Sequence, residues 1–323
     1  MKKQDDLSIV IPGDYPLQIK GSTHLETLKK HGQITLFDSL PKNIEDQIQR
    51  VKNADIILNT RASIKWDSHS IKKLPKLKMI ATCGVGLDNI DLVAAKKSNI
   101  LVSNLPGVNS KYVAEHVIGL MFSLAKRTAY QTTQIKSGNW NTKPNYFISG
   151  KTIGLIGTGN IGSKIANLAN NLGLNVIAWT FNPSVEKAQS LNLKYVSLQH
   201  LIQKSDIISI QVKLTQDSEK MLGEKEFKMM KKNTLFINAA RGGLIDNNAL
   251  VKYLQNGHIG GAALDVFEIE PIPKSHPILK CEQVILTPHN ADLIPECMDA
   301  LNEGAVHSII SFIQGNPVNI ANL

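Results

Sequence analysis

Lys151–Gly162 reads KTIGLIGTGNIG, and its second half is G-x-G-x-x-G, with Gly157, Gly159 and Gly162 at the marked positions. The spacing means little without its neighbours. Thr152–Ile156 is an apolar run of strand length, and Ile161–Leu172 then carries Ile161, Ile165, Leu168, Ala169 and Leu172 at helical spacing. Gly173 stands where the glycine just past a helix belongs, and Leu174–Trp179 is a second strand-like run. Strand, glycine turn, helix and strand is the setting that a dinucleotide-binding turn requires. Gly157 permits the tight turn, Gly159 lets the backbone approach a pyrophosphate, and Gly162 lets the helix pack closely on the strand. The helix N-terminus, with the amides of Asn160 and Ile161, then faces the anion. The competing reading is a glycine-rich β–α turn that holds no ligand.

Outward from this turn the chain keeps alternating. Downstream strands are expected at Thr152–Ile156, Asn175–Trp179, Asp206–Ile210, Thr234–Asn238, Gly261–Asp265 and Gln283–Leu286, a six-stranded doubly wound sheet. Upstream, strand-like runs at Leu7–Ile11, Ile34–Phe37, Ala54–Leu58, Leu77–Ala81 and Ile100–Val102 are separated by helix-capable segments such as Thr23–Lys30, Asn43–Lys52 and Asp91–Lys97. The fold class is therefore α/β with two lobes, each a doubly wound parallel sheet. A hinge is placed at Asn104-Leu-Pro-Gly107, and a final helix near Pro295–Ile313 returns the chain to the first lobe. That organisation is a Rossmann domain, 104–289, inserted in a flavodoxin-like substrate and catalytic domain, 1–103 and 290–323. Two crossings suit a cleft that closes over its ligand. Ser110–Lys126 reads as a long helix more apolar than one buried face needs, which fits either a subunit interface in a homodimer or burial within its own chain.

Composition narrows the class. A chain of 323 residues, 42% hydrophobic and 20% charged, has room for two ordinary domains. The formal net charge of +9 raises the question of nucleic acid. The basic residues are spread thinly, however, only Arg50, Arg61, Arg127 and Arg241 are arginines, and no basic run interleaves with aromatics. A solvated lysine-rich surface that steers anionic substrates is the better reading. No apolar run approaches the roughly 20 residues that span a bilayer, and the N-terminal MKKQDDLSIVIPGDYP is too acidic and too short in apolar length for a signal peptide. Cys83, Cys281 and Cys297 lack metal-ligand spacing and read as reduced thiols of a cytoplasmic protein, with no metal site expected.

Three later stretches resemble the D-isomer-specific 2-hydroxyacid dehydrogenase family. They are Ile237-Asn-Ala-Ala-Arg-Gly-Gly-Leu-Ile-Asp246, Gly261-Ala-Ala-Leu-Asp-Val-Phe-Glu-Ile-Glu270-Pro and Leu286-Thr-Pro-His289. Gly84-Val-Gly-Leu-Asp-Asn-Ile-Asp91 and Asn104-Leu-Pro-Gly followed by Val113-Ala-Glu-His116 are similar to its upstream segments. The resemblance implies hydride transfer between a nicotinamide cofactor and a small 2-hydroxy or 2-oxo acid, with Arg241, Glu270 and His289 as the catalytic set. A guanidinium holds a carboxylate and a ketone with fixed donors and stays charged. A donor aimed at the ketone oxygen stabilises the charge that hydride attack creates there. Imidazole gives and takes a proton near neutrality, and a carboxylate on its other nitrogen fixes the tautomer. The resemblance further implies that Asp265 lies near the nicotinamide amide, against an alternative in which it caps the turn that follows. It also puts Ala239 and Ala240 beside the cofactor, and the amides of Val85 and Gly86 at the substrate carboxylate.

Departures from the pattern leave parts open. The acid usual at the end of the second dinucleotide strand is Thr180 here, which does not repel a 2′-phosphate, yet no arginine follows to bind one. NAD is expected, with NADP as the alternative. Gln211-Val-Lys213-Leu-Thr215 replaces a segment whose proline commonly flanks the nicotinamide, and Asn290-Ala-Asp-Leu-Ile-Pro295 lacks the Gly/Ser/Thr cluster common after the histidine. Asn59-Thr-Arg61 lacks the paired arginines of phosphoglycerate-type members, so an unphosphorylated acid is favoured, with Arg61 keeping a phosphorylated one open. Two other classes remain in view: a dinucleotide-sensing, corepressor-like binding protein of the same fold, and a dehydrogenase of formate or phosphite.

Overall fold

The computed structural model describes residues 7–61 and 64–323; the first six residues of the N-terminal stretch read above lie outside them. The chain divides into two compact units, Met1–Asn109 with Asp292–Leu323, and Ser110–Ala291.

The first unit runs β1 (Ser8–Ile11), α1 (Thr23–Leu28), β2 (Gln33–Leu36), α2 (Ile44–Val51), β3 (Ile56–Thr60), α3 (Ser68–Lys72), β4 (Met79–Cys83), α4 (Leu92–Lys97) and β5 (Leu101–Ser103). Its five strands are parallel, in the order β2-β1-β3-β4-β5. Side-chain caps start the helices: Ser22, Asn43, Asp67 and Asp91 each accept a bond from a first-turn amide. The strands expected at Ala54–Leu58 and Leu77–Ala81 lie two residues later, ending at Thr60 and Cys83. Asn59, Thr60 and Thr82 are polar but lie inside the sheet, buried with their neighbours. Helix α3 was not expected, because its five residues carry one isoleucine and depend on the Asp67 cap rather than on an apolar face.

The second unit runs α5 (Ser110–Ala125), α6 (Thr128–Lys136), β6 (Thr152–Ile156), α7 (Asn160–Asn171), β7 (Asn175–Trp179), α8 (Val185–Ser190), β8 (Lys194–Tyr195), α9 (Leu198–Lys204), β9 (Ile207–Ile210), α10 (Glu224–Met229), β10 (Thr234–Asn238), α11 (Asn247–Gln255), β11 (Ile259–Leu264) and β12 (Val284–Leu286). Seven parallel strands lie in the order β12-β11-β10-β9-β6-β7-β8, which corrects the six-stranded expectation. The added strand, β8, is two residues at the sheet edge, too short for any periodicity to reveal. Helix α6 was not expected; none of its residues is buried, so no apolar stripe announced it.

Helix α5 buries Val113, Ala114, Val117, Leu120, Met121 and Leu124, and all of these but Val113 join a core layer of its own unit. Of the two readings of that helix, burial in its own chain accounts for this face. Strand alternation builds a core on both sides of the sheet: Phe236 joins Phe227, Leu250 and Ile208 in one layer, while Leu235 and Ile237 join Val117, Met121 and Ile165 in the other. Each such side chain contributes about 1.5–3 kcal/mol on burial. Strand order reverses between β6 and β9, so the crest at the carboxyl ends of these strands is the switch point where ligands of such sheets bind. Helix α12 (Pro295–Ile313) closes the first unit at the expected position.

Candidate active site

The glycine turn follows β6 directly. Gly157 has φ +103°, a conformation that side chains resist, and a Cβ there would stand 2.9 Å from both the Gln211 carbonyl carbon and Val212 Cγ1. A Cβ on Gly162 would stand 2.1 Å from the Gly157 carbonyl oxygen, so the first turn of α7 rests on the glycine loop itself. Gly159 differs: a Cβ there meets nothing within 4 Å. It is the N-cap of the 12-residue α7, without a side-chain cap for the amides behind it. Open space beside uncapped amides fits a dinucleotide pyrophosphate in a way that a filled, capped turn would not. Thr158 Oγ1 lies 2.8 Å from the Tyr195 hydroxyl, so the unforeseen strand β8 braces the turn. Thr180, half-buried, directly follows β7.

Two strands along the crest, Asn238 at the end of β10 shapes the next loop. Its Oδ1 accepts from the Ala240 amide at 3.0 Å and its Nδ2 donates to the Arg241 carbonyl at 2.9 Å. Arg241 in turn donates from Nη1 to the Ala240 carbonyl at 2.7 Å. Immediately after it, a Cβ on Gly242 would lie 2.0 Å from the Phe267 carbonyl carbon. Only a glycine permits that backbone contact, which seats the Arg241 loop against the segment carrying Glu270.

Glu270 faces two partners. Oε1 accepts from the Phe267 amide at 2.8 Å, and Oε2 lies 2.7 Å from His289 Nδ1. With Nδ1 engaged by a carboxylate, Nε2 is the ring nitrogen left for proton exchange. Burial pushes the Glu270 carboxyl upward, but the His289 bond and charge, the Phe267 amide and the Arg241 charge outweigh it and hold it below the usual range. His289 itself has φ +49°, a left-handed conformation that a non-glycine residue keeps only when its surroundings impose it.

Asp265 supplies that constraint. Its side chain is 1% exposed. Oδ1 accepts from Thr287 Oγ1 at 2.6 Å and from the Asn290 amide at 3.1 Å, while Oδ2 accepts from the Ala291 amide at 3.1 Å. One carboxylate thus gathers the loop on both sides of His289. The alternative in which Asp265 caps the turn directly after it is corrected: it binds the loop beyond the next strand. Burial acts to raise this carboxyl too, and the bonds from His116, Thr287 and Asn290 outweigh burial and lower it.

Val85 and Gly86 belong to the first unit, in the loop after β4. The Val85 carbonyl accepts from Asn104 Nδ2 at 2.7 Å, and among the described residues the amides of Val85 and Gly86 have no partner. Arg61, at the end of neighbouring β3, pairs with Asp292 at 3.4 Å, and Asp292 also accepts from Asn109 at 3.1 Å. Cys83, Cys281 and Cys297 are buried without disulfides, and burial drives the Cys83 thiol upward, consistent with a packed residue. Lys213 is exposed past the end of β9. The sequence offered no role for His116, Thr287 or Asn238, since no spacing rule links them to residues that are distant in the chain.

Residues 118–291 match the family described as D-isomer specific 2-hydroxyacid dehydrogenase, NAD binding domain. The chain is 33% identical over 306 residues to a glyoxylate reductase of Korarchaeum cryptofilum, covering 92% of each protein. It is 36% identical over 306 residues to a D-3-phosphoglycerate dehydrogenase of Methanocaldococcus jannaschii, covering 93% of this chain and 58% of that longer protein. Among solved structures, an acyclic imino acid reductase in complex with NADPH and D-Arg superposes with a TM-score of 0.88 and 30% identity, covering 98% of this chain and 100% of that one. Motifs, sheet order and these likenesses agree: the chain belongs to the D-isomer-specific 2-hydroxyacid dehydrogenase family.

Proposed function

We propose that this protein reduces small, unphosphorylated 2-oxo acids to D-2-hydroxy acids, and runs the reverse oxidation, with Arg241, Glu270 and His289 as its catalytic residues. As a family member it is an NAD(P)-dependent oxidoreductase acting on the CH–OH group. The observation that carries the residue assignment is the 2.7 Å contact between His289 Nδ1 and Glu270 beside the Arg241 loop. When bound, the nicotinamide cofactor supplies or accepts the hydride. Arg241 holds the substrate carboxylate and ketone oxygen with charged donors. His289 gives its Nε2 proton to the oxygen as charge develops there, and takes one back in oxidation. Glu270 keeps the ring in the donating tautomer and stabilises its protonated form.

Gly157, Gly159, Asn160, Ile161 and Gly162 hold the pyrophosphate, with Thr180, Ala239, Ala240 and Asp265 along the remainder of the cofactor. Thr180 with no arginine after it favours NAD over NADP. The unit carrying these residues is the cofactor domain. The other unit binds substrate through the free amides of Val85 and Gly86, which suit a carboxylate. Arg61 is neutralised by Asp292 at 3.4 Å, which supports a substrate without a phosphate group. We place the protein in the cytoplasm as a homodimer; exposed Ile135, Trp140 and Phe147 supply an apolar surface for the second copy.

Oxidation of NADH and NADPH with glyoxylate, pyruvate, hydroxypyruvate and 3-phosphohydroxypyruvate tests the reading. NADH with an unphosphorylated acid is expected to be the best pair. His289→Ala and Arg241→Ala are expected to lower kcat by on the order of 10²–10⁴-fold while NADH binding by fluorescence titration persists. Undiminished turnover by His289→Ala would overturn the mechanism. Tight cofactor binding with no turnover of any acid would favour the sensor reading.

A further inference from the structure

His116 sits on α5, far in sequence from the residues above, yet its Nε2 lies 3.5 Å from Asp265 Oδ1 and 3.3 Å from Thr287 Oγ1. Among the described residues it is the one basic side chain within ion-pair distance of Asp265. The carboxylate it meets is almost wholly buried, and a buried carboxylate without a donor or countercharge is costly. Were Asp265 to take a proton instead, one oxygen would become a donor, and the three loop bonds from Thr287, Asn290 and Ala291 could not all survive.

We propose that His116 is a positioning residue: by donating to Asp265 it keeps that carboxylate an acceptor on both oxygens, and so holds the loop that presents His289. The line of contact is continuous. It runs from His116 on α5 to Asp265 at the end of β11, then through Thr287, Asn290 and Ala291 to the left-handed backbone of His289. Helix α5 is itself fixed by the buried apolar layer against β10 and α7, so the donor is anchored on a rigid element. His116 touches none of the groups proposed to meet substrate; it acts through Asp265. The inference rests on the proposed role of His289, and its test includes a readout that does not depend on turnover.

His116→Leu removes the donor and keeps apolar bulk, while His116→Gln keeps a donor at the position of Nε2. Hydrogen exchange of the peptide spanning 284–292 is expected to accelerate by about tenfold or more in His116→Leu, and to stay near wild type in His116→Gln. The kcat for the best 2-oxo acid is expected to fall by a similar factor in the Leu variant, with NADH affinity unchanged and activity restored in the Gln variant. On an Asp265→Asn background the Leu substitution is expected to add nothing, because the effect passes through that carboxylate. Unchanged exchange and unchanged kcat in His116→Leu overturn the proposal. Faster exchange with unchanged kcat overturns its link to catalysis. If exchange accelerates in a protein whose wild type turns over no 2-oxo acid, the loop role stands and the proposed function falls.

Discussion

Glu270 carries two bonds with different consequences. The one from Phe267 orients the carboxylate locally, and the one from His289 links it to the proton donor. Glu270→Gln retains the size but loses the charge and allows the amide to present either end, so the ring tautomer is no longer dictated. A fall in kcat on the order of 10²-fold or more is expected in steady-state assays, with NADH affinity preserved. The same residue sets an acid limit. Its folded pKa is lowered, as is that of Asp265, so each contributes stability that is present above the ordinary carboxylate range, about pH 4, and lost as pH falls through the lowered folded value. Melting temperatures measured from pH 3 to 6 are therefore expected to drop on the acid side of about pH 4, less steeply in Glu270→Gln. A profile unaltered by the substitution would detach Glu270 from the folded-state electrostatics.

At the scale of elements, the β6–α7 unit separates structure from binding within a single motif. Gly162 is constrained by the fold, since its Cβ would collide with the Gly157 carbonyl. Gly159 is not, because its Cβ would enter open space. Gly162→Ala is expected to lower the melting temperature by several degrees, as α7 shifts off the turn. Gly159→Ala is expected to melt as wild type does but to weaken NADH binding by about tenfold or more, because the methyl group enters the space a phosphate needs. Equal NADH affinity for Gly159→Ala and wild type, by titration, would place the pyrophosphate elsewhere. The turn was legible from its glycine spacing together with the flanking strand and helix patterns, because all of these are set by residues near in the chain. Strand β8 was not, although Tyr195 on it braces Thr158, because a two-residue edge strand exists only through its neighbour.

For the whole molecule, exposed apolar residues are scattered; Ile135, Trp140 and Phe147 gather in the segment after α5, and none of the large ones lies on α5 itself. Trp140 is 86% exposed and Phe147 72%. If that segment mediates a homodimer, the double variant Trp140→Glu, Phe147→Glu is expected to sediment at half the mass of wild type in analytical ultracentrifugation. Wild-type sedimentation at 35.5 kDa would remove the dimer from the proposal. The long helix α5 read from sequence as a choice between interface and core; Ala114, Val117 and Met121 within the sheet-covering layer assign that face to the core.

What the sequence determined by itself was whatever depends on near neighbours. Alternating apolar runs specified two parallel sheets, the run after Pro288 placed a final helix near α12, and motif order brought Arg241, Glu270 and His289 to notice. The tertiary structure decided what depends on residues distant in the chain. It showed that Asp265 holds the loop of His289, that His116 faces Asp265, and that Arg61 is matched by Asp292. The physical reason is the same in each case. A buried carboxylate or a partly buried guanidinium must find a counterpart wherever folding puts one, and neither composition nor periodicity records which distant residue that is.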